Sequence, residues 1–415
     1  MNTADTVMVG PLGAVPLAAT GVGSAIHFFG IVFSTGIIIG MTPLVSQAYG
    51  AGDLPRCRRV LVQGLWAALI LSVPTIWVNA AGGEIARGLG QDPAVSELAG
   101  DYLLSLTWGI PPFLLFMALR QYLEGMGRVR APMVVTFFGL AINIVANRVL
   151  IYGWADRVPA LGMVGSGWAT TIVRFAMLIA LLAYVLTRRG VLPFRGVRLR
   201  PERPLLGRIF KIGTPTGAHF GLEVGLFSFA AVMMGWLGAV EVAAHQVTIN
   251  IASTTFMVAL GISNAGTIRV GQSIGARRPR AVRRAAIGTY LLATGFMALC
   301  ALVFLLLPRE LITLYTREDP VIDIGARLLL MAAAFQIFDG AQVAGGSVLR
   351  GAADTRAPMV IAAVGYWVIG VPIGYWLAFR AGLGPIGVWA GLTVGLGVAA
   401  VLLVLRVRRF MRTEW

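Results

Sequence analysis

The sequence predicts an all-α integral membrane protein: two six-helix bundles in a pseudo-twofold parallel repeat. Three observations carry this. Of the 415 residues, 57% are hydrophobic and 13% charged, against a charged share of about 25% in a soluble domain. Apolar runs of about 20 residues recur along the chain, the length a helix needs to cross a ~30 Å hydrocarbon core. Finally, separate motifs recur at one nearly constant offset. VMVGPLGAVPLAATGV from Val7 matches VMMGWLGAVEVAAHQV from Val232, and VSQAYGAG from Val45 matches VGQSIGAR from Val270, both 225 residues apart. RAPMV from Arg130 recurs from Arg356, 226 residues on. Chance does not hold one offset over so long a stretch, and internal repeats of this kind are a transporter signature with the substrate site between them.

The elements follow in order. Apolar helices are expected over 17–49, 60–80, 101–124, 131–152, 162–187, 212–236, 241–273, 282–307, 322–348, 356–379 and 384–407, with a short stub at 1–12. A transmembrane barrel would instead show ten-residue alternating segments. Residues 1–187 form an amino-terminal lobe, 188–211 a basic linker, 212–407 a carboxy-terminal lobe and 408–415 a tail. Applied to the helix from about Gly213 to Gly235, the repeat puts its amino-lobe partner from about −12 to Gly10. The stub is too short to span. The native protein is therefore expected to begin upstream of Met1 and to hold twelve helices. Within the fourth span, Pro111-Pro112 remove backbone donors and should bend or break the helix. Gly370, Pro372 and Gly374 mark a flexible region or a close helix contact.

Charge sets the orientation. The net charge is +16, yet its distribution speaks against a nucleic-acid footprint. Of the 34 Lys and Arg residues, 24 fall in one alternate set of loops and only 5 in the opposite set. The basic set faces the cytoplasm by the positive-inside rule, which puts both termini there, in the inner membrane of a bacterial cell. Cys57 lies in a loop and Cys300 in a helix, so they are not expected to pair, and no CxxC or Cys/His cluster indicates a metal or cofactor site.

Glu223 and Asp339 stand out, being acids stranded in long apolar stretches. An ionised carboxylate in the bilayer is costly and marks an ion or substrate path or a structural ion pair. By helical rise both lie near mid-membrane, Glu223 about 20 Å and Asp339 about 18–25 Å below the outer end. Two close carboxylates repel, so such a pair can hold a proton near neutral pH or jointly bind a cation such as Na⁺. Gln336 and Gln342 flank Asp339 and offer oxygen ligands of the type hard cations prefer, or interhelical hydrogen bonds. A second cluster is expected in the outer half of the amino lobe: Asp5, Thr170, and Asn143 with Asn147 at i, i+4 on one helix face. It would hold Na⁺ or a proton, or serve as interhelical glue. Arg174, one turn beyond Thr170, is expected to face inward and pair with Asp5, holding it ionised, so that proton coupling runs through the other lobe. Arg148 raises the same question. His219 and His245 lie near the carboxy-lobe site and are expected to be packed. Neither lobe repeats the other's acids, since Asp5 matches Ala230 and Asp339 matches Phe113.

These motifs resemble the MATE family of multidrug and toxic compound extrusion transporters, in its NorM-like branch. DTVMVGPLGAVPLAA is similar to the family's first helix ending, PLVSQAYGAGD to its second, and RGAADTRAPM to the junction of its tenth and eleventh helices. FGLEVGLF and FDGAQVAGGSVLRG are similar to the NorM-type carboxy-lobe acids. The resemblance implies Asp5, Asn143, Asn147 and Thr170 as one cation site and Glu223 and Asp339 as another. Two features depart from the pattern: most of the first helix is missing, and Phe335 stands where NorM-like members carry Tyr.

The expected function is secondary active antiport, acting as a monomer and exporting amphipathic, often cationic drugs or metabolites against Na⁺ or H⁺ by alternating access. A flippase of a lipid-linked saccharide is the alternative, and would want a strongly basic cavity; only Arg174 and Arg148 offer one. No HExxH, GxSxG or nucleotide-binding GxxxxGK[ST] is present, so neither an enzyme nor a self-contained ATP-driven pump is expected.

Overall fold

The computed structural model describes Asp5 and residues 8–154, 159–188, 196 and 198–413. Nearly all of them are helical. The first span is α1 (Ala14–Ile39), continued past Gly40 by α2 (Met41–Gly50). After it come α3 (Leu54–Ala80), the short α4 (Gly82–Gly88), α5 (Pro93–Thr107), α6 (Ile110–Gly125), α7 (Arg130–Tyr152), α8 (Gly162–Thr187) and α9 (Arg203–Leu237). The chain closes with α10 (Ala239–Gly275), α11 (Pro279–Leu306), the short α12 (Pro308–Thr313), α13 (Asp319–Gly351), α14 (Arg356–Arg380) and α15 (Pro385–Thr413). Among the described residues ten helices are long and apolar enough to cross a membrane, or eleven if α5 and α6, bent by 47° at their junction, count as one span. Every helix expected from residue 17 onward is present. Of the stub, Asp5, Met8 and Val9 are helical; residues 1–4, 6 and 7 lie outside the described residues.

Three details differ from the sequence reading. First, α9 starts at Arg203, well before residue 212. Pro204 sits in its first turn, where a missing N–H is harmless. The preceding backbone is pinned to α3: Trp66 Nε1 donates to Leu199 O at 2.9 Å, and Gln63 donates to Arg200 O (3.1 Å) and accepts from Glu202 N (2.8 Å). Residues 189–195 and 197 of the expected linker lie outside the described residues. Second, the bend in the fourth span falls at Trp108–Gly109, and Pro111-Pro112 occupy the first turn of the helix that follows. Third, Arg350 belongs to the last turn of α13 and is buried, not part of a loop.

Two compact units form by packing, one of residues 1–45 and 53–217 and the other of 46–52 and 218–415. In each, helix faces are sorted for a bilayer. On α7 the buried stripe is Gly139, Asn143, Asn147 and Ile151, while Phe137, Phe138 and Val145 face outward. This is the reverse of a soluble amphipathic helix: lipid is as apolar as any core, so polar groups turn toward protein partners. In the second unit α13 is the central helix, packed against α10, α11 and α15. Around it Phe335, Tyr366, Phe304 and Trp389 form the heart of the core.

Glycine sets the closest approaches. A Cβ on Gly391 would overlap the backbone of Gly374, so α14 and α15 touch main chain to main chain. On either side of Pro372 the backbone of α14 widens to π-helix, over Ala363–Gly370 and Trp376–Arg380. Wide turns of this kind absorb an interrupted hydrogen-bond ladder. The repeated motifs VSQAYGAG and VGQSIGAR meet as well. A Cβ on Gly50 would overlap the carbonyl of Gln272, and one on Gly275 would overlap the carbonyl of Gln47. Each contact is the other displaced by 225 residues, so the two motifs pack on each other about a local pseudo-twofold axis.

Candidate cation sites

Small residues draw α8 onto its neighbours. A Cβ on Gly165 would overlap the carbonyl of Leu150 in α7, and one on Gly167 would overlap Ser105 Oγ in α5. That approach brings the polar stripes of α7 and α8 together, and four expected residues meet there. Asp5, 3% exposed, accepts from Asn147 Nδ2 at 2.6 Å and from Thr170 Oγ1 at 3.2 Å. Asn143 Nδ2 reaches Thr170 Oγ1 at 3.4 Å, and Asn147 Nδ2 lies 3.5 Å from Asn143 Oδ1. Tyr152 Oη donates to Met8 O at 2.5 Å and ties the segment bearing Asp5 to the end of α7. Two donors on two carboxylate oxygens suit an ionised Asp5. Turning the Asn147 amide over presents Oδ1, which has no partner, as an acceptor for a protonated carboxyl. The cluster can therefore satisfy Asp5 with or without a proton.

Arg174 faces the interior as expected but does not pair with Asp5: no ion pair links them among the described residues. Its Nη2 lies 2.9 Å from His27 Nε2, and its guanidinium carbon lies 4.9 Å from the centroid of the Phe113 ring. The charges of Arg174 and Asp5 still interact through space. His27 Nδ1 in turn lies 2.8 Å from the Asn79 side-chain amide. A guanidinium only donates, so Nε2 must accept and the ring proton sits on Nδ1. Asn79 then accepts that proton through its amide oxygen, which is the amide orientation the network selects. Arg148 is exposed and stacks over Tyr152 at 4.8 Å.

The bend between α5 and α6 makes room for Arg174. A Cβ on Gly109 would stand 2.8 Å from Thr171 Oγ1 and 3.0 Å from Arg174 Cδ. Gly109→Ala should therefore displace the Arg174 stem and destabilise the protein by about 1–3 kcal/mol, the cost of overpacking a filled site. A melting temperature equal to that of the unaltered protein would contradict this packing.

In the second unit Glu223 and Asp339 line one small cavity of about 30 Å³, together with Phe227, Ile249, Ala252, Ser253, Phe256 and Phe335. That is room for one water or one small cation. Asp339 is buried, and its Oδ1 has no partner; Gln336 Oε1 is likewise buried and unpartnered. The flanking amides are committed elsewhere: Gln342 Nε2 donates to Tyr366 Oη at 2.7 Å, and Gln336 Nε2 donates to Thr255 Oγ1. Phe335 packs edge-on to Phe227 and Trp389, with centroids 6.1 and 5.7 Å apart, and brings no oxygen. The surroundings are thus rich in acceptors and poor in donors, a chemistry that a proton or a cation completes. His245 is packed, its Nδ1 accepting from Trp389 Nε1 at 3.2 Å, while His219 Nε2 is buried without a partner.

Among the polar residues of these sites that escaped the sequence reading are His27, Asn79, Ser253, Thr255, Tyr366 and Arg350. Arg350 lies buried with its guanidinium carbon 5.4 Å from the centroid of Phe220, and its charge interacts with that of Glu223. His27 had a usable signal, an ionisable ring within the apolar run SAIHFFG. Nothing in the order of residues pairs it with Arg174, 147 positions away.

Comparisons with known proteins agree with this architecture. A family model described as MatE matches residues 1–149 and 215–376. A relative from Bradyrhizobium diazoefficiens named "Probable multidrug resistance protein NorM" is 38% identical over 418 residues, covering 99% of this chain and 90% of the relative. A protein of the same name from Mesorhizobium japonicum is 36% identical over 426 residues, with the same coverage of 99% and 90%. Among solved structures, "Crystal structure of MATE in the bent conformation" superposes with a TM-score of 0.91 at 22% identity, covering 99% of this chain and 90% of that one. The eukaryotic MATE transporter AtDTX14 gives 0.86 at 22% identity over 100% of this chain and 94% of that one. At such identity the structural matches speak for the fold.

Proposed function

The chain belongs to the MatE family, and on that footing we propose that it is a secondary active antiporter. It exports amphipathic, often cationic drugs or metabolites in exchange for Na⁺ or H⁺ by alternating access. The multidrug part of this reading rests on the names of the NorM relatives. In this reading the protein works as a monomer in the cell's inner membrane; the basic loops argue for placing both termini in the cytoplasm.

One observation carries the coupling role: two acids share a cavity sized for one small ion, and Asp339 Oδ1 is buried there without a donor. Two ionised carboxylates in a low-dielectric cavity repel each other and cost desolvation. A bound H⁺ or Na⁺ relieves both. A cationic substrate relieves them too, so the entering ion and the departing substrate compete for the same negative charge. Asp5, with Asn143, Asn147 and Thr170, is a second acid able to exchange a proton. Gln336 holds Thr255 and Gln342 holds Tyr366, which ties the Asp339 stripe of α13 to α10 and α14.

The test is transport in everted membrane vesicles, with a fluorescent cationic substrate and either a Na⁺ gradient or a pH gradient imposed. One of the two gradients should drive uphill accumulation, and collapsing it should release the substrate. Accumulation indifferent to both gradients would overturn antiport.

A further inference from the structure

We propose that the cavity enclosed by α10, α11 and α12 is a binding site for one acyl chain of a membrane lipid. Neither ion coupling nor drug export is assumed for it.

The chain makes this cavity where α11 stops. Leu307 leaves helical geometry (φ −130°, ψ 45°), and Pro308, which cannot continue α11, opens the short α12. The turn carries Leu311 and Tyr315 over toward α10, where Tyr315 Oη donates to Asn250 Oδ1 at 3.3 Å. Beneath them lies a cavity of about 320 Å³, wholly within the second unit. Its apolar walls come from Ile251 of α10, Leu299, Val303 and Phe304 of α11, and Leu311 of α12. With ~30 Å³ as the share of one water in the liquid, it holds about ten groups of that size. Packed protein leaves few gaps larger than one water, because wall atoms without neighbours forfeit dispersion contacts.

The wall chemistry selects the occupant. Only the hydroxyls of Thr254, Thr255 and Tyr315 and the thiol of Cys300 interrupt the hydrocarbon. Each hydroxyl already donates, Thr254 to Asn250 O at 2.9 Å, Thr255 to Ala252 O at 2.7 Å and Tyr315 to Asn250 Oδ1. A water here needs two to four polar partners and finds no free hydroxyl donor. No charged side chain lines the cavity, so a cation would lose its hydration and gain no counter-charge. An apolar chain loses nothing by entering.

The bilayer supplies such chains at the mouth. Leu292, Leu299, Val303 and Leu306 form one exposed stripe along α11, and Leu314, on the same cavity, is 79% exposed. So continuous an apolar surface on a membrane-spanning helix faces hydrocarbon. Because Leu299 and Val303 belong to both the stripe and the cavity, a chain enters sideways from the lipid without crossing water. A seated chain also bears on the acids. Thr255 accepts from Gln336 Nε2 of α13, and Ala252 and Phe256 beside it line the cavity of Glu223 and Asp339. One short stretch of α10 therefore separates the two cavities, and the chain backs that stretch against α13.

The probe is a phosphatidylethanolamine with a photoactivatable diazirine in one acyl chain. It is added to the protein in a sterol-based detergent, which has no flexible chain of its own. After illumination, crosslinks on residues 299–315 should saturate near one lipid per protein. Those on Leu291 and Leu292, exposed on the same helix away from the cavity, should rise in proportion to lipid. Unlabelled phosphatidylethanolamine should displace the first set. A lipid with six-carbon chains should do so about tenfold less well or worse, since each buried CH₂ adds to binding. Val303→Trp fills the mouth and should lower the cavity crosslinks about tenfold or more, leaving those on Leu291 and Leu292 unchanged. Saturation and competition in the wild type decide the matter even where that variant fails to fold. Cavity crosslinks that climb in proportion to lipid, or that survive Val303→Trp, would overturn the site. Displacement by the lipophilic cation tetraphenylphosphonium as effective as by lipid would overturn it too, and give the cavity to cationic compounds instead.

Discussion

Glu223→Gln and Asp339→Asn should each cut uphill export by about 100-fold, near the upper range for energetic coupling between two sites. Both proteins should still insert at close to normal levels. The substitutions hold volume nearly constant, and a neutral amide costs less to bury than a carboxylate. Asn at 339 also brings donors to a place where Asp339 Oδ1 and Gln336 Oε1 lack them. Its melting temperature should therefore equal or exceed that of the unaltered protein. Binding of a cationic substrate should weaken less than transport does, because one acid remains in the cavity. The measurements are vesicle export, equilibrium binding and a thermal melt. Wild-type export from both variants would remove these acids from the coupling mechanism. Loss of insertion would make them structural.

The second large effect is expected at the paired glycines of the repeated motifs. Gly50→Ala and Gly275→Ala each thrust a methyl group into a backbone carbonyl, that of Gln272 or Gln47. A side chain could turn aside, but a carbonyl within a helix cannot, so the cost should lie near 3 kcal/mol, the upper part of the usual overpacking range. That is enough to shift a balance between arrangements about 100-fold toward those in which the two helix ends stand apart. Because the contacts are related by the repeat, the two variants should behave alike. Export should collapse in both. Cys57, fully buried with its Sγ directed at Val45 O at 3.6 Å, is a native reporter at this end of the first span. In a Cys300→Ala background its reaction with a permeant thiol reagent should accelerate in both variants. Normal export with an unreactive Cys57 would show that these helix ends need not stay so close. Strong loss in one variant alone would contradict the symmetric role.

What could be read without coordinates divides along physical lines. The bilayer acts as a solvent with a fixed thickness, so a span is a property of consecutive residues. Each span expected from residue 17 onward is present, and so is the pair of acids that no lipid-facing surface would keep. The i, i+4 spacing of Asn143 and Asn147 was enough to put both on one face of α7. The 225-residue offset foretold that VSQAYGAG and VGQSIGAR are equivalent, though not that they pack on each other.

Other features were decided by helix rotation and by how closely backbones approach. Arg174 was expected on Asp5, the nearest acid by depth, but depth says nothing about azimuth. The rotation of α8, fixed by Gly165 against Leu150 and Gly167 against Ser105, turns the guanidinium toward His27. The bend in the fourth span was expected at Pro111-Pro112. It falls at Trp108–Gly109 because prolines are tolerated in a first helical turn and because Gly109 must leave room for Arg174. By itself, then, the sequence determined the spans, their repeat, and which residues are too polar to face lipid, since one-dimensional hydropathy against a slab of fixed thickness decides those. Only the tertiary structure decided which of those polar groups satisfy one another, since that depends on contacts of a few ångströms between residues more than a hundred positions apart.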